Sequence, residues 1–179
     1  ADFNIHNYAM SGYGNYQSLL QLRDLLQQKS APEVVILAYG SFHHQRNVAS
    51  RMWEQTIAGI PFATGFAYPY LRLEEGVMQH YNAPLVYDLW PLQGLSAAVH
   101  VAEGKYAQQH ESTLNADAVT QHVIDEIHGI CQSHEAHFIL ANVYDTEASA
   151  RMLQHYAGKL PVIDLSLPPG DTTVQLSKY

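Results

Sequence analysis

Two glycine-containing turns carry the residues of this chain that are best suited to chemistry. The first is Ser11-Gly12, and the second runs from Gly40 to Asn47 with the sequence GSFHHQRN. Each follows an apolar segment of strand length. In open α/β proteins, ligands bind just beyond the carboxyl ends of parallel strands. Imidazole, guanidinium, amide and hydroxyl groups placed there could donate hydrogen bonds or transfer protons, so the second turn is the leading candidate for one wall of a site.

The spacing of apolar residues predicts the elements that must position these turns. Strands are expected at 3–10, 33–39, 137–143 and 160–165, and helices at 16–29, 47–57, 92–109, from 116 after an N-cap at Asn115, and at 147–156. A small hairpin is expected at 70–73 and 77–81. The first strand, helix and second strand would form a right-handed βαβ unit. This alternation favours an α/β fold, a three-layer α/β/α sandwich with a mainly parallel sheet and flavodoxin-like topology.

The composition is that of one globular α/β domain over residues 1–179, with an aromatic-rich insertion or lid at about 61–91. Nine basic and 17 acidic residues give a net charge of −8, which argues against binding to nucleic acid or to anionic membranes. No apolar run has the length of a membrane span. Neither the compartment nor the oligomeric state is predicted.

The titratable residues do not predict a metal or any other cofactor. The chain has 11 histidines, but His134 and His137 are one residue too close for the zincin spacing, and zinc usually needs three convergent ligands. Gly12-x-Gly14 lacks the third glycine of a dinucleotide fingerprint. The one cysteine, Cys131, lies in a helical pattern and is expected to be a buried structural thiol.

The two turns resemble the second and third sequence blocks of the SGNH (GDSL-type) hydrolases. Asn7-x-x-x-Ser11-Gly12 matches the second block and Gly40-x-x-His43 the third, with a helix of the usual length between them. The resemblance implies an ester or O-acyl hydrolase or acyltransferase that acts on a small acyl ester or an O-acylated carbohydrate. It also implies that Gly12 is the oxyanion glycine and that Gly40 opens the third block.

The chain departs from the family pattern at its catalytic positions. Phe42 stands where the third block has its asparagine, and His43 stands at the aspartate. No Gly-Asp-Ser motif precedes Asn7, and no Asp-x-x-His pair follows Leu165. The resemblance therefore implies the middle of such a domain, with the serine nucleophile and the base outside this chain. Variant third blocks with a histidine and an Arg-Asn pair suggest His44 or Asn47 as the missing donor.

Each candidate residue also has a simpler interpretation. The predicted catalytic residues are Gly12, Gly40, His43, His44 and Asn47, and the predicted substrate-binding residues are Ser11, Ser41 and Arg46. The glycines could serve only to allow positive φ, and the histidines could be an exposed or capping pair. The arginine could pair with a carboxylate, and serines are common in turns.

Two other functions remain open on the sequence alone. One is a non-catalytic module that binds a small acyl or carbohydrate ligand, or a protein partner, through the aromatic residues at 62–87. The other is a flavodoxin-like signalling domain, although the acidic cluster expected after its first strand is missing.

Overall fold

A computed structural model of the chain describes residues 4–28, 31–60 and 65–166. Helices and strands alternate along most of this sequence. The helices are α1 (Asn15–Gln28), α2 (Phe42–Asn47), α3 (Arg51–Ala58), α4 (Ala97–Thr113), α5 (Ala116–Ser133) and α6 (Glu147–Tyr156). The strands are β1 (Val34–Tyr39), β2 (Ala67–Glu74), β3 (Val77–Pro84), β4 (His137–Asn142) and β5 (Val162–Asp164).

Three of the strands form a parallel sheet in the order β1-β4-β5. Leu37 lies opposite Leu140, and Ala141 lies opposite Ile163. The remaining strands, β2 and β3, form the predicted antiparallel hairpin; β2 is longer than expected at both ends, and β3 begins as predicted and is longer at its C-terminal end. The mixed α/β class and the parallel sheet are therefore confirmed.

Helices α1, α5 and α6 cover one face of the sheet and form the core with it. Side chains along β1 point alternately to the two faces of the sheet, and Leu37 and Tyr39 point to the face that these helices cover. The buried cluster also includes Leu19, Val123, Ile124, Ile127, Cys131, Phe138, Leu140, Met152 and Tyr156. The expected structural role of the cysteine is consistent with this placement, since the Cys131 thiol is packed among aliphatic and aromatic side chains and burial raises its pKa.

The opposite face of the sheet is apolar and exposed. Val34, Ile36 and Ile163 keep 45%, 64% and 45% of their surface accessible, so no helix of the described residues covers them. Both faces of a parallel sheet are covered in a three-layer sandwich. The described residues show two layers, and the predicted third layer is not confirmed.

The predicted first strand does not form. Residue 3 lies outside the described residues, and residues 4–10 are exposed and have no regular structure. An isolated strand leaves its N–H and C=O groups unpaired, and no strand in the described ranges pairs with this segment. The predicted βαβ unit therefore consists of its helix and second strand only.

The predicted helix at 47–57 is divided into two. The Ser50 hydroxyl accepts a hydrogen bond from the backbone N–H of Trp53 and so caps α3, while Ala49 takes a left-handed φ of 44°. The preceding helix α2 begins earlier than predicted, at Phe42. The two histidines of the second turn therefore lie on a helix.

Other boundaries differ for similar local reasons. The helix predicted at 92–109 begins at Ala97 because Ser96 caps it by accepting from the Val99 N–H, and it continues to Thr113. Asn115 is the N-cap residue of α5, as predicted, but it has a left-handed φ of 50° and its side chain makes no cap bond.

The hairpin packs against α1 and the first glycine turn. The Tyr16 hydroxyl lies 2.8 Å from Nδ1 of His80, and the Tyr68 hydroxyl donates to the Gly12 carbonyl at 3.3 Å. Residues 61–64 of the predicted insertion and the chain from residue 167 onward lie outside the described residues. No helix in the described part of the chain is both long enough and apolar enough to cross a bilayer.

Candidate functional site

The structure brings the two predicted turns together. Arg46, in α2, donates from Nη1 to the backbone carbonyl of Tyr13 at 2.9 Å. Asn47 accepts at Oδ1 from the backbone N–H of Tyr16 at 3.0 Å. The approach is close enough that a Cβ on Gly14 would lie 2.6 Å from the Asn47 Oδ1 atom. A residue with a side chain at this glycine would separate the turns.

Gly12 combines a left-handed backbone conformation with a backbone N–H that has no protein partner in the described residues. Its φ is +86°, a value that L-residues rarely adopt. No acceptor in the described residues takes its backbone N–H. The ring of Trp53 lies beside it, with Cζ2 3.9 Å from the position of a Cβ on Gly12. The first turn therefore presents an unpaired N–H next to α3.

Gly40, unlike Gly12, has a partner for its backbone N–H. Its N–H donates to Nδ1 of His43 at 3.1 Å, so this N–H is already used. A Cβ at this position would lie 2.5 Å from the Phe42 ring. The glycine therefore leaves room for the Phe42 ring at the end of β1.

His43 is a neutral imidazole with one free nitrogen. Burial, with smaller effects from Arg46 and His44, lowers the pKa of His43 to about 3. Because Nδ1 accepts the Gly40 N–H, the ring proton lies on Nε2. Nε2 has no hydrogen-bond partner among the described residues, and the side chain is partly exposed. His43 can therefore donate a hydrogen bond at neutral pH but is too weak a base to take a proton.

His44 has no free ring nitrogen. Its Nδ1–H donates to Oδ1 of Asp117 at 2.7 Å, and its Nε2 accepts from the Tyr39 hydroxyl at 2.7 Å. The residue is 7% exposed, and burial lowers its pKa although Asp117 acts in the opposite direction. These contacts tie α2 to β1 and to the first turn of α5. The geometry therefore favours a structural role for His44.

The Asn47 side chain is also fully engaged. It is completely buried, and besides its bond to Tyr16 it donates from Nδ2 to Oγ1 of Thr120 at 2.9 Å. The amide cannot turn toward a ligand without leaving two buried groups unpaired. The geometry thus supports neither residue proposed from the sequence as the missing donor.

The two serines of the turns have no base beside them. Ser11 is exposed, and Ser41 holds the N-cap position of α2 without a side-chain cap bond. Within the described ranges, neither hydroxyl is hydrogen-bonded to an imidazole or a carboxylate. A nucleophile needs such a partner, so neither serine forms a nucleophile–base pair here.

Arg46 lies between two aromatic rings. Its guanidinium carbon is 4.6 Å from the centroid of Phe42 and 4.7 Å from that of Trp53. The alternative of a carboxylate partner is not seen, since no acidic group in the described part of the chain comes within salt-bridge distance. One hydrogen bond and two ring contacts therefore hold the side chain at the junction of the two turns.

Comparison of the chain with models of protein families, with curated proteins and with solved structures finds no match. The candidate site is therefore defined by its geometry alone. That geometry includes no metal centre, because no three histidine, cysteine, aspartate or glutamate side chains of the described residues lie close enough together to hold an ion.

Sequence reasoning missed four residues that shape this region. Trp53 and Tyr13 contact Arg46, and Tyr39 and Asp117 hold His44. All four lie outside the two motifs or supply only a backbone group. The one available signal was the density of aromatic residues near the turns, which indicates a surface but not these pairings.

Proposed function

We propose that this chain forms the oxyanion wall of an SGNH-type domain, in an ester or O-acyl hydrolase or acyltransferase. Its substrate would be a small acyl ester or an O-acylated carbohydrate. The observation that carries the proposal is the junction of the two turns, where the Arg46 bond to the Tyr13 carbonyl holds α2 against the loop of Gly12. Gly12 then presents an unpaired N–H beside this junction.

The chemistry of acyl transfer explains what these donors would do. Attack on the ester carbonyl creates negative charge on its oxygen, and preorganised donors stabilise that oxyanion. We assign the Gly12 N–H as one donor and Nε2–H of His43 as the second, in place of the asparagine amide of the family. A neutral imidazole suits this role, because its N–H can donate a hydrogen bond to the oxyanion while the protonation state of the ring stays the same.

We further propose that the serine nucleophile and its histidine base lie in segments outside this chain, since their motifs have no match within it. The three-layer sandwich belongs to the same proposal. It is supported by the exposed apolar face of the sheet at Val34, Ile36 and Ile163, which such an architecture would cover.

The test is hydrolysis of p-nitrophenyl acetate and butyrate by the native gene product, with its sequence on both sides of this chain. We expect activity that is lost when a serine at the end of an upstream strand is replaced by alanine. His43→Ala should lower kcat about 10²–10³-fold, the usual cost of an oxyanion donor. His134→Ala, an exposed histidine at the end of α5, is the matched control and should have no effect.

A second candidate function is a non-catalytic module that binds an acyl or carbohydrate ligand. The engagement of both His44 and Asn47 in protein contacts favours it, because fewer free donors remain than in a conventional site. The absence of a serine at the upstream strand end, together with saturable ligand binding and no hydrolysis, would overturn the enzyme in favour of this module.

A further inference from the structure

The junction of the two turns contains more hydrogen-bond donors than acceptors. We call Arg46 and Trp53, which lie beside Gly12, the donor corner. Trp53 is 7% exposed, and its indole Nε1–H is buried without a hydrogen-bond partner in the described residues. The neighbouring Tyr68 hydroxyl directs its own proton to the Gly12 carbonyl. The Tyr68 hydroxyl oxygen lies close to this N–H but not at normal hydrogen-bond geometry. A buried donor without a full partner is uncommon and costs free energy, so this N–H is available to a better acceptor.

Arg46 lacks a counter-charge in a chain that is rich in acids. The chain has 17 acidic and nine basic residues. Three other arginines in the described ranges form salt bridges, namely Arg23 with Glu126, Arg51 with Glu103, and Arg151 with Asp117. One Nη atom of Arg46 donates to the Tyr13 carbonyl, and its guanidinium stacks on two aromatic rings. Its remaining donors keep the fork geometry that suits carboxylate or phosphate oxygens.

Arg72 provides an internal comparison. It too stacks on a ring, with its guanidinium carbon 5.3 Å from the centroid of Tyr70, and it too donates to a backbone carbonyl, that of Ala49 at 3.0 Å. Burial lowers the pKa of both guanidinium groups, and the carboxylates of Glu54 and Glu74 partly offset this effect at Arg72, whereas no carboxylate does so at Arg46. Arg72 forms no salt bridge and its Nη1 is buried without a partner in the described residues, so the two arginines differ in the carboxylates near them and not in their direct contacts.

We propose that the donor corner binds an anionic oxygen group of the ligand, a carboxylate or a phosphate. The guanidinium of Arg46 supplies the charge, and the indole N–H of Trp53 supplies a neutral donor. The substrate would then be an acyl ester on an anionic carrier. The inference that the ligand is an acyl ester rests on the proposed function, whereas the inference that the donor corner binds an anion does not.

The test follows the indole N–H signals of this chain by NMR during titration with acetate, with inorganic phosphate, and with chloride at equal ionic strength. The chain has two tryptophans, so Trp90 serves as an internal control. We expect the Trp53 signal to shift saturably with acetate or phosphate, with a Kd on the order of 1 mM, while Trp90 stays unchanged. Tighter binding of acetate would identify the ligand group as a carboxylate, and tighter binding of phosphate would identify it as a phosphate.

Variants separate binding from a general salt effect. Arg46→Met should weaken binding about 10–100-fold, as expected for a lost charge-assisted contact, and Arg72→Met, the matched control, should not. If Arg46→Met fails to fold, Arg46→Lys keeps the charge and should still weaken binding about tenfold, because the fork is lost. For Trp53→Phe, binding is followed through the Gly12 amide signal and should weaken about threefold to tenfold.

A Trp53 shift that is absent, equal in chloride, or unaffected by the arginine variant overturns the proposal. This holds whatever the esterase assay gives. Hydrolysis without anion binding would leave the enzyme with an uncharged substrate, and anion binding without hydrolysis would support the donor corner and count against the enzyme.

Discussion

The two sides of helix α2 differ although their residues are neighbours in sequence. On the inner side, His44 and Asn47 are buried, and every hydrogen-bonding atom of their side-chain rings and amides has a protein partner. On the outer side, His43 keeps a free Nε2–H, and Arg46 forms no salt bridge with a carboxylate in the described residues. One six-residue helix thus fastens the fold with one side and presents donors with the other.

The difference shows which polar residues a fold can spare for a ligand. A buried side chain with all its donors and acceptors paired stabilises the protein, and removing it leaves its partners unpaired. A held side chain with a spare donor contributes less to stability and is available for binding. Substitutions on the two sides should therefore have opposite profiles, with large stability losses inside and small ones outside.

The largest loss is expected for Asn47→Ala. It leaves the Tyr16 N–H and the Thr120 hydroxyl without their partner, which should lower the free energy of unfolding by about 2–5 kcal/mol. Urea denaturation measures the change. The control is Gln45→Ala on the same helix, where the side chain is partly exposed and the expected loss is about 0.5 kcal/mol. Equal losses would abolish the distinction between the two sides.

The adjacent histidines give the next largest contrast. His44→Ala removes the link between Tyr39 and Asp117 and leaves a buried hydroxyl unpaired, at an expected cost of about 2–4 kcal/mol. His43→Ala removes one bond, to the Gly40 N–H, and should cost about 1 kcal/mol. Thermal or urea unfolding of both variants tests the order, and a costlier His43→Ala would reverse our assignment.

Gly40→Ala tests the packing on the outer side. The new Cβ would meet the Phe42 ring at 2.5 Å, so we expect a loss of about 1–3 kcal/mol from overpacking. In a double-mutant cycle, Phe42→Ala should remove most of that loss because it removes the obstacle. Additive losses would show that the ring does not set the requirement for glycine.

The smallest effect is a pH dependence from His43. Its pKa is about 3 in the folded protein, against about 6.5 when unfolded. The unfolded state therefore binds the extra proton first. The stabilisation from this group is complete above pH 6.5 and is lost as the pH falls toward 3. Between pH 7 and pH 5, His43→Ala should lose about 1–2 kcal/mol less stability than the parent chain. An identical slope in both proteins would contradict a buried neutral imidazole.

Elements with strong local signals could be predicted from the sequence. Helix α6 has the predicted bounds, and β1 lies within the predicted strand, because each is marked by its own periodicity and flanking residues. The two glycine turns meet although the strand expected before the first of them does not form. The segment at 4–10 was mispredicted, since a strand depends on a partner that periodicity does not reveal.

The division of labour within α2 could not be predicted. The partners of His44 and Asn47, Asp117 and Thr120, both lie 73 residues further along the chain, and the sequence contains no signal for such pairings. The split of the predicted helix at Ser50 was equally hidden, because the same serine is compatible with a helix interior and with a cap.

The most direct test of the account is the tautomeric state of the two adjacent imidazoles. A long-range ¹H–¹⁵N spectrum of the chain labelled in histidine, recorded at pH 7, assigns the proton of each ring. We predict opposite tautomers, with the proton of His43 on Nε2 and that of His44 on Nδ1, because the first accepts from Gly40 and the second donates to Asp117. The same tautomer in both rings, or a His43 ring that titrates near pH 6.5, would contradict the account.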